Sequence, residues 1–271
     1  MYCMDPSESN APTAGAPDAS TTAGTPALAG RAVLITGSAR RLGAALARGF
    51  HAAGADVCIH FHRSGGAAEQ LAHELNEARR NSAVTIGADL REVAALPSLI
   101  ERSAAAFGRL DVLINNASTF YPTPLGSADA AQWDDLIGTN LRAPFFLAQA
   151  AAPELRRARG LIVNMIDIHA QRPLPGHPVY SSAKAGLAML TKALARELSP
   201  EVRVNGIAPG PILWPEGGMD AALRQEIIAK TLLRRSGTPQ DIVSAALFFA
   251  KDAPYVTGQI LAVDGGRSVG W

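Results

Sequence analysis

Tyr180 and Lys184 have the residue types and the spacing of a proton-transfer pair. They stand four residues apart in Tyr180-Ser181-Ser182-Ala183-Lys184, which places both side chains on one face of a helix. Free tyrosine has a pKa of about 10, too high to exchange protons readily near neutral pH. Because a nearby ammonium favours the phenolate, we expect Lys184 to lower the pKa of Tyr180. The pair predicts catalytic proton transfer, and the alternative is a packed tyrosine beside a solvated lysine.

A second candidate site is the turn Thr36-Gly37-Ser38-Ala39-Arg40-Arg41-Leu42-Gly43, which follows an apolar run. A glycine turn between a strand and a helix lets the backbone approach a pyrophosphate, and the helix N-terminus adds free N–H groups and partial positive charge. An ordinary tight turn is the alternative. The position at the first predicted strand–helix junction favours a nucleotide site.

The end of the second predicted strand indicates which nucleotide. Its sequence, His60-Phe61-His62-Arg63-Ser64, contains no acidic residue. Enzymes that use NAD usually place an aspartate or glutamate there to bind the ribose hydroxyls. Arg63 and Ser64 could instead bind a 2′-phosphate, so the sequence predicts NADPH rather than NADH. A solvated basic loop is the alternative.

Together with later motifs, these segments resemble the short-chain dehydrogenase/reductase family over about residues 31–268, although Arg41 replaces the middle glycine of its Thr-Gly-x-x-x-Gly-x-Gly turn. The resemblance implies that Lys184 also binds the nicotinamide ribose and that Asn140 joins a proton relay through water. The residues it implies for cofactor binding are Gly37, Arg41, Leu42, Gly43, His62, Arg63, Ser64, Asp89, Leu90, Asn116, Ala117, Tyr180, Lys184, Pro209 and Gly210.

Asp167 departs from the family pattern, which has a serine 13 residues before the tyrosine to orient a substrate carbonyl. A carboxylate there would repel a developing alkoxide, and it suits a substrate with N–H groups or a ring nitrogen that needs a proton. An acidic residue that caps a loop is the alternative. Phe120, in the segment Ser118–Leu125, could stack on a flat heterocycle, and ordinary packing is its alternative.

These departures together resemble the pteridine reductase branch, whose members reduce pterins, and often folates, with NADPH. The resemblance places the pterin between the nicotinamide and Phe120. Catalysis would fall to Asp167, Tyr180, Lys184 and Asn140. The residues expected at the substrate are Arg41, Ser118, Phe120, Asp167, Tyr180 and Trp214, the last in a lid of about residues 209–235.

Alternating apolar and helical segments must position these residues. The predicted strands are Ala32–Thr36, Val57–Phe61, Ala83–Ala88, Val112–Asn115, Leu161–Met165, Val202–Ile207 and Ile260–Val263. The predicted helices are Leu42–Ala53, Ala67–Arg80, Val93–Phe107, Ala130–Arg157 and Ser181–Leu198. Apolar strands that alternate with helices predict an α/β fold: a single Rossmann-like, doubly wound domain at 31–271, with a seven-stranded parallel sheet flanked by helices. The segment from Trp214 to about Lys230 has little pattern.

Composition narrows the class of protein. Residues 1–30 are rich in Ala, Pro, Gly, Ser and Thr, which predicts a disordered tail. The net charge of +1 predicts no nucleic-acid partner and no anionic-membrane patch. The chain has no apolar stretch of about 20 residues that would span a membrane. Two distant cysteines, Cys3 and Cys58, provide neither a disulfide framework nor metal-ligand spacing, so we expect a reducing, cytoplasmic compartment and no metal.

The family resemblance also implies a homotetramer assembled through the long helices at Ala130–Arg157 and Ser181–Leu198. Two other functions stay open. One is an NADPH-dependent carbonyl reductase such as a 3-oxoacyl-carrier-protein reductase, against which Asp167 argues. The other is a non-catalytic NADP-binding sensor or scaffold, against which the set of Tyr180, Lys184 and Asn140 argues.

Overall fold

A computed structural model describes residues 25–214 and 217–270. Within them, seven strands form one parallel sheet in the order β3-β2-β1-β4-β5-β6-β7. The strands are β1 (Ala32–Ile35), β2 (Asp56–Phe61), β3 (Ala83–Gly87), β4 (Val112–Asn115), β5 (Leu161–Met165), β6 (Arg203–Pro209) and β7 (Ile260–Val263). Each lies within two residues of its predicted bounds. The predicted Rossmann-like fold is confirmed.

Helices cover both faces of the sheet. They are α1 (Arg41–Ala52), α2 (Gly65–Ala78), α3 (Leu96–Phe107), α4 (Ala130–Ile137), α5 (Ala143–Ala158), α6 (Pro178–Leu198), α7 (Ala221–Ala229) and α8 (Pro239–Leu247). One apolar cluster joins α1, α2 and α8 to the sheet, and a second joins α3, α5 and α6 to its other face. Strands β1, β4 and β5 are buried along their whole length, which explains why their sequences are mostly apolar.

The helical segments differ from the prediction in three places. The single helix predicted at Ala130–Arg157 is two helices, α4 and α5, joined by a π-helical turn at Gly138–Arg142. The segment after Trp214, which has little sequence pattern, contains α7. None of the residues of α7 is buried, and this explains why the segment has no apolar periodicity. Helix α8 was not predicted. Its start is a capping box in which Thr238 and Asp241 bind each other's backbone N–H groups.

The predicted tail extends too far into the chain. Residues 1–24 lie outside the described residues, but Leu28 is 4% exposed and belongs to the apolar cluster under α1. Its backbone N–H donates to the carbonyl of Ala53. The domain therefore includes residues before Arg31, because Leu28 closes the end of the core beside α1.

The sheet also fixes where a site can form. Strand β1 pairs with β2 on one side and with β4 on the other, so the chain order reverses at β1. Ligands of such sheets bind at the carboxyl ends of the strands, where the loops on either side of the reversal separate. The loops that follow β1 and β4 are those that carry Gly37 and Asn116. Across the described ranges, none of the helices combines the length and the apolar character needed to span a membrane.

Candidate active site

An open cavity of about 660 Å³ lies at this reversal point. Its size is within the usual range for a small-molecule site. Ten residues predicted to bind the cofactor line it: Gly37, Arg41, Leu42, Gly43, His62, Arg63, Asp89, Leu90, Asn116 and Ala117. Ser118, predicted at the substrate, lines it as well. The first turn of α1 opens onto the cavity, so N–H groups without intrahelical partners are available to a pyrophosphate. These residues fit a nicotinamide dinucleotide.

The glycine turn is held by contacts that only glycine permits. Gly37 has a φ of +61°, and a Cβ there would lie 3.0 Å from the Cα of Ala117. A Cβ on Gly43 would lie 2.4 Å from the Gly37 carbonyl oxygen. Thr36 connects the turn to the end of β4, because its Oγ1 accepts hydrogen bonds from the backbone N–H groups of Asn116 and Ala117 at 2.9 and 3.0 Å.

His60, at the end of β2, supports the turn and was missed by sequence reasoning. Its Nδ1 accepts a hydrogen bond from the Gly37 N–H at 3.0 Å, and its Nε2 donates to the Ala88 carbonyl at 3.1 Å. Burial lowers the pKa of His60 to about 4. The ring is therefore neutral near pH 7, as the acceptor role of Nδ1 requires. The signal available in the sequence was a histidine near the end of an otherwise apolar run, Val57–Phe61.

Arg41, which replaces the family's middle glycine, has a φ of +53°, a conformation that L-residues rarely adopt. Its Nη2 donates to the Trp214 carbonyl at 3.0 Å, across 173 residues of sequence. Arg41 thus joins the cofactor turn to the predicted lid. The Trp214 ring contacts the guanidinium of Arg224 from α7 at 4.9 Å, a contact within the lid itself.

The rim of the cavity near β2 is basic. Arg40, His62 and Arg63 line it, and Arg40 was not among the predicted residues. Ser64, predicted to bind a 2′-phosphate, does not line the cavity, because it lies at the start of α2. Asp89 is engaged by Arg91 at 2.7 Å, and that hydrogen bond lowers the pKa of Asp89 to about 2.

Tyr180 and Asp167 form a direct hydrogen bond at the other end of the site. The Tyr180 hydroxyl donates to Oδ2 of Asp167 at 2.8 Å, and the tyrosine is 5% exposed. Oδ1 of Asp167 accepts from the backbone N–H of His169 at 2.8 Å, so this residue both caps a short turn and binds the tyrosine. Sequence reasoning treated these roles as alternatives, and the structure shows both.

The expected effect of Lys184 on Tyr180 is wrong. Burial and the Asp167 carboxylate raise the pKa of Tyr180 well above its usual value, with the Ser118 hydroxyl opposing. Lys184 is 2% exposed, and its Nζ donates to the Met165 carbonyl at 2.9 Å. Burial lowers the pKa of Lys184 to about 8, against the opposing effect of Asp167. In this state the phenol is protonated and donates to a carboxylate.

Asn140 is fully buried in the π-helical turn between α4 and α5. Its Nδ2 donates to the carbonyls of Leu136 and Thr119, both at 2.9 Å, and its Oδ1 accepts from the Ser118 hydroxyl at 2.6 Å. The π turn therefore fixes Asn140 against the loop that follows β4. The side-chain hydrogen bonds described for Asn140 are with this loop and with α4, not with Tyr180 or Lys184.

Phe120 presents an aromatic surface beside the Tyr180 hydroxyl. Its side chain is 51% exposed, and its ring is nearly perpendicular to the Tyr180 ring, with centroids 4.9 Å apart and an interplanar angle of 79°.

Pro209 and Gly210 lie at the end of β6, and the Gly210 N–H donates to the Val263 carbonyl of β7 at 3.0 Å. The arrangement combines a nucleotide-sized cavity, a proton-donating pair and a surface for a flat ring.

Comparisons with known proteins match nearly the whole chain. A family profile described as enoyl-(acyl carrier protein) reductase matches residues 37–268. Pteridine reductase 1 of Leishmania tarentolae is 36% identical, over 87% of this chain and 96% of that protein. A 3-oxoacyl-[acyl-carrier-protein] reductase of Staphylococcus aureus is 32% identical, over 87% of this chain and 97% of that protein. A crystal structure of a candidate short-chain alcohol dehydrogenase from Sinorhizobium meliloti 1021 has 34% identity and a TM-score of 0.84, over 89% of this chain and 98% of that one.

Proposed function

The chain belongs to the short-chain dehydrogenase/reductase family, whose members are NAD(P)H-dependent oxidoreductases, and on that premise we propose that it reduces a ring C=N bond of a pterin or folate with NADPH. The observation that carries the proposal is the hydrogen bond between Tyr180 and Asp167. The resemblance between this chain and pteridine reductase 1 supports it. The similarity to 3-oxoacyl-carrier-protein reductases makes a carbonyl reductase the second candidate.

Asp167 supports the first of these two substrate classes. A ketone substrate becomes an alkoxide, which needs hydrogen-bond donors, whereas an ionised carboxylate only accepts. A carboxylate within 2.8 Å of the catalytic hydroxyl would repel that developing charge. A pterin offers an amide N–H and an amino group, both of which donate to a carboxylate. Asp167 therefore favours a nitrogen heterocycle over a ketone.

The protein supplies a proton to the substrate nitrogen. Bound NADPH would supply the hydride to the adjacent carbon, so the C=N bond gains a C–H and an N–H bond and NADP⁺ is released. The proton leaves the Tyr180–Asp167 pair, and solvent replaces it. Because the Tyr180 hydroxyl and the Asp167 carboxylate share a hydrogen bond, the proposal assigns proton delivery to the pair rather than to either residue.

The rim of the cavity supports NADPH as the cofactor. Arg40 and Arg63 line the cavity and supply positive charge, and no acidic residue follows β2 before α2. A charged donor to a phosphate contributes about 1.5–3 kcal/mol, enough to separate NADPH from NADH by about 10- to 150-fold in affinity. Lys184, held in the site by the Met165 carbonyl, is the group available to the nicotinamide ribose.

The test is a substrate panel followed through NADPH oxidation. It contains oxidised biopterin, dihydrobiopterin, dihydromonapterin, dihydrofolate, simple ketones and a 3-oxoacyl thioester. We expect kcat/KM to be highest for a pterin or a folate. Tyr180→Phe is the control, because it should bind NADPH normally and lose most turnover. A wild-type enzyme that prefers a ketone or the thioester to every pterin and folate would refute the proposal.

A further inference from the structure

His177 stacks on the ring that the proposed function assigns to the substrate. Its imidazole and the Phe120 ring are nearly parallel, with an interplanar angle of 8° and centroids 4.7 Å apart. This geometry is that of an aromatic stack, which contributes beyond the area it buries. The Phe120 and Tyr180 rings are nearly perpendicular, with centroids 4.9 Å apart. The aromatic surface beside the catalytic hydroxyl is therefore built from two rings, Phe120 and His177.

Local helix structure does not account for the His177 side chain. The residue lies at the N-cap of α6, but its side chain makes no capping hydrogen bond, and Pro178 already favours a helix start. Its Nδ1 is 2.9 Å from the Pro175 carbonyl oxygen, and since a carbonyl only accepts, Nδ1 carries the proton. The ring is thus anchored to its own loop, and its face contacts Phe120.

Backbone contacts join the two loops into one wall. The Thr123 N–H, three residues after Phe120, donates to the Gly176 carbonyl at 2.7 Å, and Thr123 is fully buried. The Ser181 hydroxyl accepts from the Leu174 N–H at 3.2 Å, which ties the same loop to the first turn of α6. Phe120, His177 and Tyr180 therefore belong to one connected unit.

We propose that His177 is a positioning residue that supports Phe120 from behind, so that a planar substrate ring on the open face of Phe120 is held at a fixed place relative to Tyr180 and Asp167. Phe120 is still 51% exposed with His177 against it, so about half of the residue is accessible to a substrate. This inference rests on the proposed function for the identity of the stacked ring. It predicts selection for flat heterocycles over non-planar substrates of similar size.

Loss of the supporting ring should affect substrate binding more than the chemical step. Without His177, Phe120 can turn into the space left behind and no longer presents a fixed face. The proton-donating pair does not contact His177 and should be unchanged. We expect His177→Ala to raise KM for the preferred pterin about 2- to 12-fold, the range of one aromatic pair, with kcat changed less than twofold.

Steady-state kinetics test this role with two comparison variants. His177→Phe keeps an aromatic ring and should restore KM to within about twofold of wild type. Gln171→Ala removes an exposed side chain from the same loop and should leave KM unchanged. NADPH affinity should be equal in all three variants. An unchanged KM in His177→Ala, or a KM in His177→Phe as high as in His177→Ala, would overturn the inference.

A second measurement separates this inference from the proposed function. Denaturant unfolding of the apo protein is compared for wild type, Phe120→Ala, His177→Ala and the double variant. We expect the double variant to be more stable than the sum of the single losses predicts, because each single change already removes the stack. Additive losses would overturn the inference even if pterins are reduced. If wild type reduces no pterin or folate, the proposed function fails, and a coupling in this cycle still supports the two-ring wall.

Discussion

The Asp167 carboxylate has two hydrogen-bond partners. Oδ1 is held by the His169 backbone and Oδ2 by the Tyr180 hydroxyl, each at 2.8 Å. The first contact fixes the carboxylate, and the second joins it to the hydroxyl that we propose delivers the proton. Because its negative charge adds to burial in raising the pKa of Tyr180, the phenol stays protonated until a substrate arrives.

Replacing Asp167 by serine should remove most pterin reduction. Proton delivery by a positioned group contributes about 10²–10⁴-fold, so Asp167→Ser should lose roughly that much kcat/KM. Serine also caps turns, so the backbone contact to His169 can persist. Asp167→Asn keeps hydrogen bonding but does not ionise, and it separates recognition from proton transfer. NADPH binding, measured by fluorescence titration, should match wild type, whereas full pterin turnover in Asp167→Ser would contradict the assignment.

Arg63 and Arg40 are expected to set the cofactor preference. Both line the cavity, Arg63 just after β2 and Arg40 at the start of α1. Arg63→Ala and Arg40→Ala should each weaken NADPH binding, up to about 10- to 150-fold, and leave NADH binding nearly unchanged. Arg48→Ala is the matched control, because Arg48 is an exposed arginine on α1 that pairs with Glu74 instead. Equal losses of NADPH and NADH affinity would show that neither arginine reads the 2′-phosphate.

At the scale of elements, His60 holds β1, β2 and the end of β3 together at the cofactor turn. Its Nδ1 must be unprotonated to accept from Gly37, and Nε2 must carry the proton that it donates to Ala88. A second proton on the His60 ring would place its Nδ1–H against the N–H of Gly37, and two donors do not form a hydrogen bond. The turn therefore depends on a neutral histidine.

This dependence predicts a loss of stability in acid. The pKa of His60 is about 4 in the folded protein and 6.5 in the unfolded chain, so between those values the unfolded chain binds more protons. Stability should therefore fall as pH drops from 6.5 to 4. The difference between the two pKa values corresponds to about 3 kcal/mol at full effect. Denaturant unfolding measured across this pH range should show that the free energy of unfolding changes less with pH in His60→Gln than in wild type, because glutamine does not titrate.

His51→Gln provides the control for a buried histidine elsewhere. Burial also lowers the pKa of His51, but this residue lies in the last turn of α1, where it bonds to Ser82 and not to the cofactor turn. Protonation of His60 in acid should therefore weaken NADPH binding, whereas protonation of His51 should not. If His60→Gln and His51→Gln show the same pH dependence of NADPH affinity, His60 does not control the turn.

At the scale of the whole molecule, two apolar clusters stabilise the domain from either side of the sheet, and further apolar groups stay exposed. On the helices expected to form an interface, Phe145 of α5 is 40% exposed and Met189 of α6 is 64% exposed. Exposed apolar groups on adjacent helices are typical of association surfaces. They are consistent with the homotetramer that the family resemblance implies, which stays a prediction.

Light scattering after gel filtration tests the assembly. Wild type should have a mass four times the 28.3 kDa of one chain. Met189→Glu places a charge in the expected interface and should shift the mass to smaller species. Leu125→Glu changes an equally apolar residue that is 99% exposed on a loop, and should not. A wild-type mass of one or two chains would exclude the tetramer.

The sequence by itself determined most of the fold. All seven strands were placed within two residues of their bounds. Strands β1, β4 and β5, which are buried along their whole length, have mostly apolar sequences that a sequence alone can reveal. The pair Tyr180 and Lys184 could also be predicted from the sequence, because a spacing of four residues places two side chains on one face of a helix. Helix α7 was missed because it buries no residue and so has no periodic pattern, whereas the capping box of α8 was a signal that could have been used.

Only the tertiary structure decided how the site residues act on one another. The contacts that matter join distant segments: Tyr180 to Asp167, Phe120 to His177, and Arg41 to the Trp214 carbonyl 173 residues away. The direction of the Tyr180 pKa depends on which charge lies closest to its hydroxyl. Lys184 donates to Met165 instead, so burial and the Asp167 carboxylate raise that pKa. Electrostatic effects depend on distance and burial in space, and sequence spacing fixes neither once residues lie on different elements.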